Sequence, residues 1–331
     1  MAPRIMTRER LAGAARAALG GGRRLESVER LAGGSRKGVY RLTMDDLTTA
    51  VAYVWEESEN YWPTAEADGD LTDVFSPGVG LDLFEAAHLR LEALGLRVPE
   101  VYLVDRNRTH HPGDLAVVED FPGENLMALL HRDPHAAEPT MACLAEAMAA
   151  MRGHRAPSFG KVALIDRGGS SRAESCENAA HDFALACLAE AASRDRRIAD
   201  ARDRLEERLR ELAAAVRPRA AYSVVHGELG LDHVLVDPDG NPVLIDIEDL
   251  MYFDVEWEHA FLRLRHAEEH HRRLAVEGLD EDRLALYTLT QRLSLTAGPL
   301  RLLEGDFPDR DFMRSIAEHH LTEALTLVAD G

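Results

Sequence analysis

One short acidic stretch, YSVVHGELGLDHVLVDPDGNPVLIDIEDLMYFDVEWE at 222–258, has residue types and spacings suited to chemistry. A β-forming run leads into His226-Gly227-Glu228. A second run covers 234–236, the Pro238-Asp239-Gly240-Asn241 turn reverses the chain, and 243–245 leads into Asp246. Glu228 therefore precedes a short hairpin and Asp246 ends it, so both can face one cleft. Carboxylates at such a mouth suit two tasks: accepting a proton from a hydroxyl, and holding a hard divalent cation. Glu248 and Asp249 follow directly, and each reads either as a contact to metal or substrate or as an acidic cap at a helix start.

The elements that must position these residues fall into two blocks. Residues 7–18 space apolar groups at helical intervals, after which the period changes. Strands are expected at 24–32, 38–44 and 48–55, with the turn Gly33-Gly34-Ser35-Arg36-Lys37-Gly38 between the first two. The acidic stretch 56–80, broken by Pro and Gly, reads as an exposed, solvated loop. A helix at 81–94 and strands at 101–104 and 115–118 complete a small lobe over 1–121. From 122 to 331 the pattern is mainly helical, and Glu119-Asp120-Phe121-Pro122-Gly123 looks like the joining hinge. The expectation is an α+β chain with a β-rich lobe followed by a larger helical lobe.

Composition narrows the partners. The chain has 331 residues, and 58 Asp and Glu against 38 Lys and Arg give a formal charge of −20, which argues against nucleic-acid or anionic-membrane binding. A cationic small molecule suits this charge better. Three widely spaced cysteines, Cys143, Cys176 and Cys187, fit neither a disulfide framework nor a zinc knuckle. No apolar run approaches the roughly 20 residues needed to cross a bilayer, and Met1 to Gly20 lacks a signal-peptide core. A cytoplasmic monomer or homodimer is expected. The patches His110-His111, His266, His270-His271 and His319-His320 read as surface residues.

The 222–258 segment resembles the catalytic core of the aminoglycoside phosphotransferase and choline-kinase-like family, which shares a bilobal protein-kinase-like fold. The family pattern is His-Gly-Asp, then Asn five residues after the Asp, then Ile-Asp at the metal site. Here the matching residues are His226-Gly227-Glu228, His233 and Ile245-Asp246, at the spacings of a kinase catalytic loop and metal loop. Gly33 to Arg41 resembles the nucleotide loop, Phe84-Glu85 opens a helix placed like the αC helix, and Glu119 to Phe121 resembles the hinge that holds adenine.

Three positions depart from that pattern. Glu228 stands where the catalytic Asp is expected, and His233 where a metal-binding Asn is expected. Imidazole is a poorer ligand than oxygen for Mg²⁺ and a better one for Mn²⁺. His233 reads equally as a metal ligand and as a histidine packed under the loop. The third strand, Val51 to Trp55, carries no Lys to pair with Glu85 or the phosphates; Arg36, Lys37 and Arg41 can each reach a nucleotide from the turn, with Lys37 preferred.

The resemblance implies transfer of the γ-phosphate of ATP or GTP to a hydroxyl of a small molecule, with an aminoglycoside or amino-sugar as the expected acceptor. Glu228 would take the proton, with His226 holding its loop. Gly33, Gly34, Ser35, Arg36, Lys37, Arg41, Glu85, Glu119 and Phe121 would bind nucleotide. Asp246, His233 and Glu248 would bind Mg²⁺ or Mn²⁺, and Asp249, Asp254 and Glu256 would line the acceptor site. A nucleotide-binding pseudokinase is the alternative from another class, and nucleotidyl transfer on the same fold is a third.

Overall fold

The computed structural model describes residues 6–62 and 69–328. The chain opens with α1 (Arg8–Leu19), then β1 (Leu25–Arg30), β2 (Gly38–Met44) and β3 (Thr49–Trp55). α2 (Leu81–Ala93), β4 (Val101–Val104) and β5 (Asp114–Glu119) follow. The five strands form an antiparallel sheet in the order β1-β2-β3-β5-β4. Period-two side-chain alternation divides β3 between two cores. Ala50, Ala52 and Val54 face a small core with Leu11, Ala14 and Ala15 of α1. Val51, Tyr53 and Trp55 face the opposite way, into the core that α2 shares with the rest of the chain.

Beyond the sheet come α3 (Leu126–Arg132), α4 (Glu138–Gly153), the short strands β6 (Arg155–Ala156) and β7 (Gly160–Lys161), and α5 (Val162–Ile165). Next are α6 (Cys176–Ala192), α7 (Arg196–Ala215), β8 (Tyr222–Val225), β9 (Val234–Val236), β10 (Pro242–Leu244) and β11 (Met251–Phe253). The chain closes with α8 (Val255–Arg265), α9 (Glu268–Arg273), α10 (Glu281–Leu302) and α11 (Arg310–Thr326). β9 and β10 form the expected hairpin, and β8 and β11 are the inner strands of a small sheet ordered β6-β8-β11-β7. The fold is a β-sheet region followed by a helical region, with the expected bilobal kinase-like architecture.

The 56–80 segment departs from expectation, apart from residues 63–68, which lie outside the described residues. It is not a solvated loop: Glu59, Val74 and Ser76 are buried. Glu59 accepts from the Tyr40 hydroxyl at 2.7 Å and pairs with Arg30. Phe75 stacks on Phe183 of α6 at 4.6 Å and lies 4.6 Å from Trp257 of α8. Arg172 holds Asp70 and Asp73, each at 2.7 Å. Glu56, Glu59, Asp70 and Asp73 are matched by arginines, and Phe75 anchors the stretch in the helical region. His111, His266 and His320 are also buried, not surface residues.

Candidate active site

The loop after β8 is shaped by its own glycine. Gly227 has φ +97°, and a Cβ there would sit 2.8 Å from the Asp249 carbonyl oxygen. Glu258, buried on α8, accepts backbone N–H bonds from His226 (2.5 Å), Gly227 (3.2 Å) and Leu229 (2.9 Å). Trp257 adds a ring N–H bond to the Gly227 carbonyl at 3.0 Å. His226 is buried and donates through Nε2 to the Ile245 carbonyl at 3.0 Å, tying this loop to the one that carries Asp246. Burial, reinforced by neighbouring His233, lowers its pKa to about 4, so the ring is a neutral tether and not a base.

The loops of Glu228 and Asp246 are neighbours, close enough for the Asp246 charge to act on the Glu228 carboxyl. His233 joins them: Nδ1 donates to the Glu228 carbonyl at 2.9 Å, and Nε2 lies 3.7 Å from Asp246 Oδ2. Asp246 sits at φ +59°, a left-handed position uncommon for a non-glycine residue, which turns its carboxylate out of the strand end. Glu228 is exposed to solvent between the buried residues Gly227 and Leu229. Desolvation by the surrounding protein, followed by the nearby charges of Asp249 and Asp246, pushes its pKa up to about 7.

Lys37 reaches the 246–248 loop from the glycine turn between β1 and β2. Gly34 (φ +68°) lets the turn fold tightly, because a Cβ there would meet the Lys37 carbonyl oxygen at 2.6 Å. Lys37 Nζ donates to Asp246 Oδ1 at 2.9 Å and to Glu248 Oε1, and stands 4.9 Å from the Tyr53 ring centroid. Burial alone would lower the lysine's pKa, but Asp246 and Glu248 outweigh it and raise it. Lys37 lowers that of Asp246, whereas burial keeps Glu248 above its usual range despite the same lysine. The Lys37–Asp246 pair is therefore charged, with Glu248 as the crowded third member. Among the described residues, no three His, Cys, Asp or Glu side chains are arranged as a metal cage. Asp246 and Glu248 nonetheless supply two hard oxygen donors on a point where a cation already sits, so their chemistry fits a divalent ion.

The third-strand cation is replaced by aromatic packing. Tyr53, its hydroxyl kept neutral by burial with a pKa of about 12, meets the Phe84 ring at 5.6 Å, and Trp55 meets it at 5.8 Å. α2 thus turns Phe84 toward the sheet, and Glu85 does not face the cleft. It pairs instead with Arg106, which also binds Asp82 at 2.5 Å. Arg41 is held by Asp120 through bonds of 2.8 and 3.0 Å. Glu119 pairs with Arg97 at 2.6 Å, its N–H already bonds the Glu100 carbonyl, and Arg97 stacks over Phe121. In the turn, Ser35 accepts from the Trp62 indole at 2.8 Å, and Arg36 stacks on that ring at 4.4 Å.

Two acceptor-site expectations need correction. Asp254 and Glu256 are fully buried and face the core. Arg283, Arg219 and the Tyr287 hydroxyl bind Asp254, while Arg219 (2.6 Å) and the Asp280 N–H (2.9 Å) bind Glu256. Asp249 does lie on the cleft floor, paired at 2.8 Å with Lys161, a residue the motifs did not reveal. A signal was available in the composition: the chain has 36 arginines and only two lysines, and both lysines are buried against acids of the 246–249 loop.

Residues 29–307 match the profile described as "Phosphotransferase enzyme family". No curated protein sequence matches the chain significantly. Among solved structures, the choline kinase LicA from Streptococcus pneumoniae is similar with a TM-score of 0.58 and 16% identity, over 93% of this chain and 94% of that one. The GDP and kanamycin complex of APH(2")-IIia gives 0.59 and 19% over 91% and 94%. A thermostable mutant of the aminoglycoside phosphotransferase APH(4)-Ia gives 0.56 and 18% over 91% and 95%. At these identities the likeness is one of fold.

Proposed function

The chain belongs to the phosphotransferase enzyme family, and from that premise we propose that it moves the γ-phosphoryl group of ATP or GTP to a hydroxyl of a small molecule. The supporting observation is that Asp246 links the other two: Lys37 bonds it at 2.9 Å, and His233 lies between it and the Glu228 carbonyl. Glu228 accepts or orients the acceptor's hydroxyl proton, and a carboxyl with a pKa of about 7 is well matched to that role near neutral pH. His226 and Glu258 hold its loop rigid. Asp246 and Glu248 would hold the divalent ion, Mg²⁺ or Mn²⁺, whose bound charge would neutralise the triphosphate. Lys37 supplies the phosphate contact that the third strand lacks, and the backbone of the 33–38 turn lies beside it. Positioning and charge neutralisation carry most of the rate in such reactions.

A cationic acceptor is favoured by the accessible carboxylates of Glu228, Asp246 and Asp249, and by the overall charge of −20. Kanamycin and choline, named with two of the structural neighbours, are of that kind. One observation favours a nucleotide-binding pseudokinase instead: Lys37 already neutralises the metal-loop acids. An acceptor panel of amino-sugars and amino-alcohols, incubated with ATP and Mg²⁺ or Mn²⁺ and read by mass spectrometry, separates the two. Phosphorylated acceptor is the expected product, and Glu228→Gln should cut its rate by roughly 10²–10⁴-fold with nucleotide binding retained. Nucleotide binding without turnover on any acceptor would select the pseudokinase.

A further inference from the structure

The only two lysines of the chain both point at the loop of Asp246 to Asp249. We infer that Asp246 and Glu248 form a divalent-cation seat whose resident counter-cation is the Lys37 ammonium, and that Lys37 gives up the seat when a nucleoside triphosphate arrives. Metal would therefore enter with or after nucleotide and not before it. The inference rests on the phosphotransferase reading above and specifies the order of assembly of its site.

Geometry and charge both support it. Lys37 Nζ bonds both carboxylates at once, and the residue is only 7% exposed. An ammonium and a divalent ion cannot share the same two carboxylates, because like charges a few ångströms apart repel, the more so beside the buried Glu248. In the free protein the lysine therefore competes directly with metal. A triphosphate under the 33–38 turn offers anionic oxygens that compete for the same ammonium. Once Lys37 pairs with phosphate, the two carboxylates are uncovered in the presence of a second negative group.

Residue type supports the exchange. Lysine is a compact charge on a flexible stem with rotatable donors, able to pass from one oxygen to another, whereas arginine locks into fixed bidentate pairs. The chain uses arginine at 36 of its 38 Lys and Arg positions, including the sealed pairs at Asp254 and Glu256. Both of its lysines stand against the 246–249 loop, and Lys37 is the one on the two carboxylates that must be vacated.

Lys37→Met tests this through two binding measurements that need no turnover. Nucleotide-free Mn²⁺ titration followed by electron paramagnetic resonance should show the variant binding metal at least about tenfold more tightly than wild type. Calorimetry with ATP in EDTA should show it binding nucleotide at least about tenfold more weakly. A lysine with a merely structural role would weaken both, and unchanged or weaker Mn²⁺ binding overturns the inference. Wild-type protein labelled with ¹³C-lysine gives a second test, since two lysines give two Cε signals. ATP in EDTA should move the Lys37 signal while millimolar Mg²⁺ alone leaves it in place; an equal movement by Mg²⁺ alone overturns the inference. If ATP neither binds nor shifts a signal while Lys37→Met still gains Mn²⁺ affinity, the phosphotransferase reading falls and the seat stands.

Discussion

Two acidic clusters lie within a few residues of each other and meet opposite fates. Asp246, Glu248 and Asp249 gather at the cleft, matched by Lys37 and Lys161. Asp254, Glu256 and Glu258 lie in the core, matched by Arg219, Arg283 and backbone N–H groups. Each is three carboxylates within five residues, so residue type alone cannot tell them apart; the partner can. Arginine and backbone donors fix a carboxylate permanently, while lysine leaves it exchangeable. The second cluster frames the loop, and the first is available to ligands. Glu258 connects them, since its buried carboxylate holds the three N–H groups on either side of Glu228.

The sharpest way to break this contrast is to remove one partner from each cluster. Arg283→Met leaves Asp254 buried, with Tyr287 and the more distant Arg219 as its remaining partners. Breaking a buried pair in this way costs about 3–5 kcal/mol, a large part of a typical folding stability. A steep fall in Tm or loss of soluble protein is expected. Asp246→Asn, at a carboxylate 44% exposed whose lysine keeps Glu248 as a partner, should lower Tm much less while abolishing activity. Losses of the same size in both variants, measured by thermal denaturation, would erase the distinction between the clusters.

Spacing made the first cluster legible and left the second ambiguous. His226-Gly227-Glu228, His233 and Asp246 stand at intervals that one loop geometry requires, and the chain folds them together. The hairpin and the sheet strands were equally plain, because turn residues and period-two alternation are local signals. Asp254 and Glu256 were misplaced because their partners Arg219 and Arg283 are distant in sequence, and side-chain pairing across 29 to 37 residues leaves no periodic trace. The 56–80 segment misled for a related reason: its acids looked solvated until Arg30 and Arg172 were brought to them. Lys161 carried no motif at all. Its scarcity value, one of two lysines among 36 arginines, was the only available sign.

A smaller effect tests whether the helical core is as sealed as the contrast requires. His320 is buried between α10 and α11, within 3.1 Å of Arg292, and burial followed by that arginine lowers its pKa to about 3. In the unfolded chain its value is near 6.5. Between these values the unfolded state binds a proton that the folded state refuses, so the residue's contribution to stability falls as pH falls below 6.5. Replacing it with a group that does not titrate, His320→Asn, removes that slope. Urea midpoints at pH 7.5 and 4.5 should show wild type losing stability relative to the variant by up to about 1.4 kcal/mol per pH unit. Parallel pH profiles would mean that water reaches this part of the core.

The smallest effect is expected where the family pattern would predict a large one. A glutamate on the helix after the third strand would ordinarily pair with a lysine over the phosphates, and Glu85 stands at that place in sequence. Here Phe84 takes the inward position against Tyr53 and Trp55, and Glu85 pairs with Arg106, itself 54% exposed, on the outer face. Exposed ion pairs contribute about 0–1 kcal/mol. Glu85→Ala should therefore shift stability by no more than about 0.5 kcal/mol and leave the Michaelis constant for nucleotide at its wild-type value. A several-fold rise in that constant would mean that α2 rotates when nucleotide binds and brings Glu85 inward, making the aromatic cluster a resting arrangement of the free protein only. An unchanged constant would leave Lys37 as the cation that serves both the metal loop and the phosphates, with the third strand contributing packing alone.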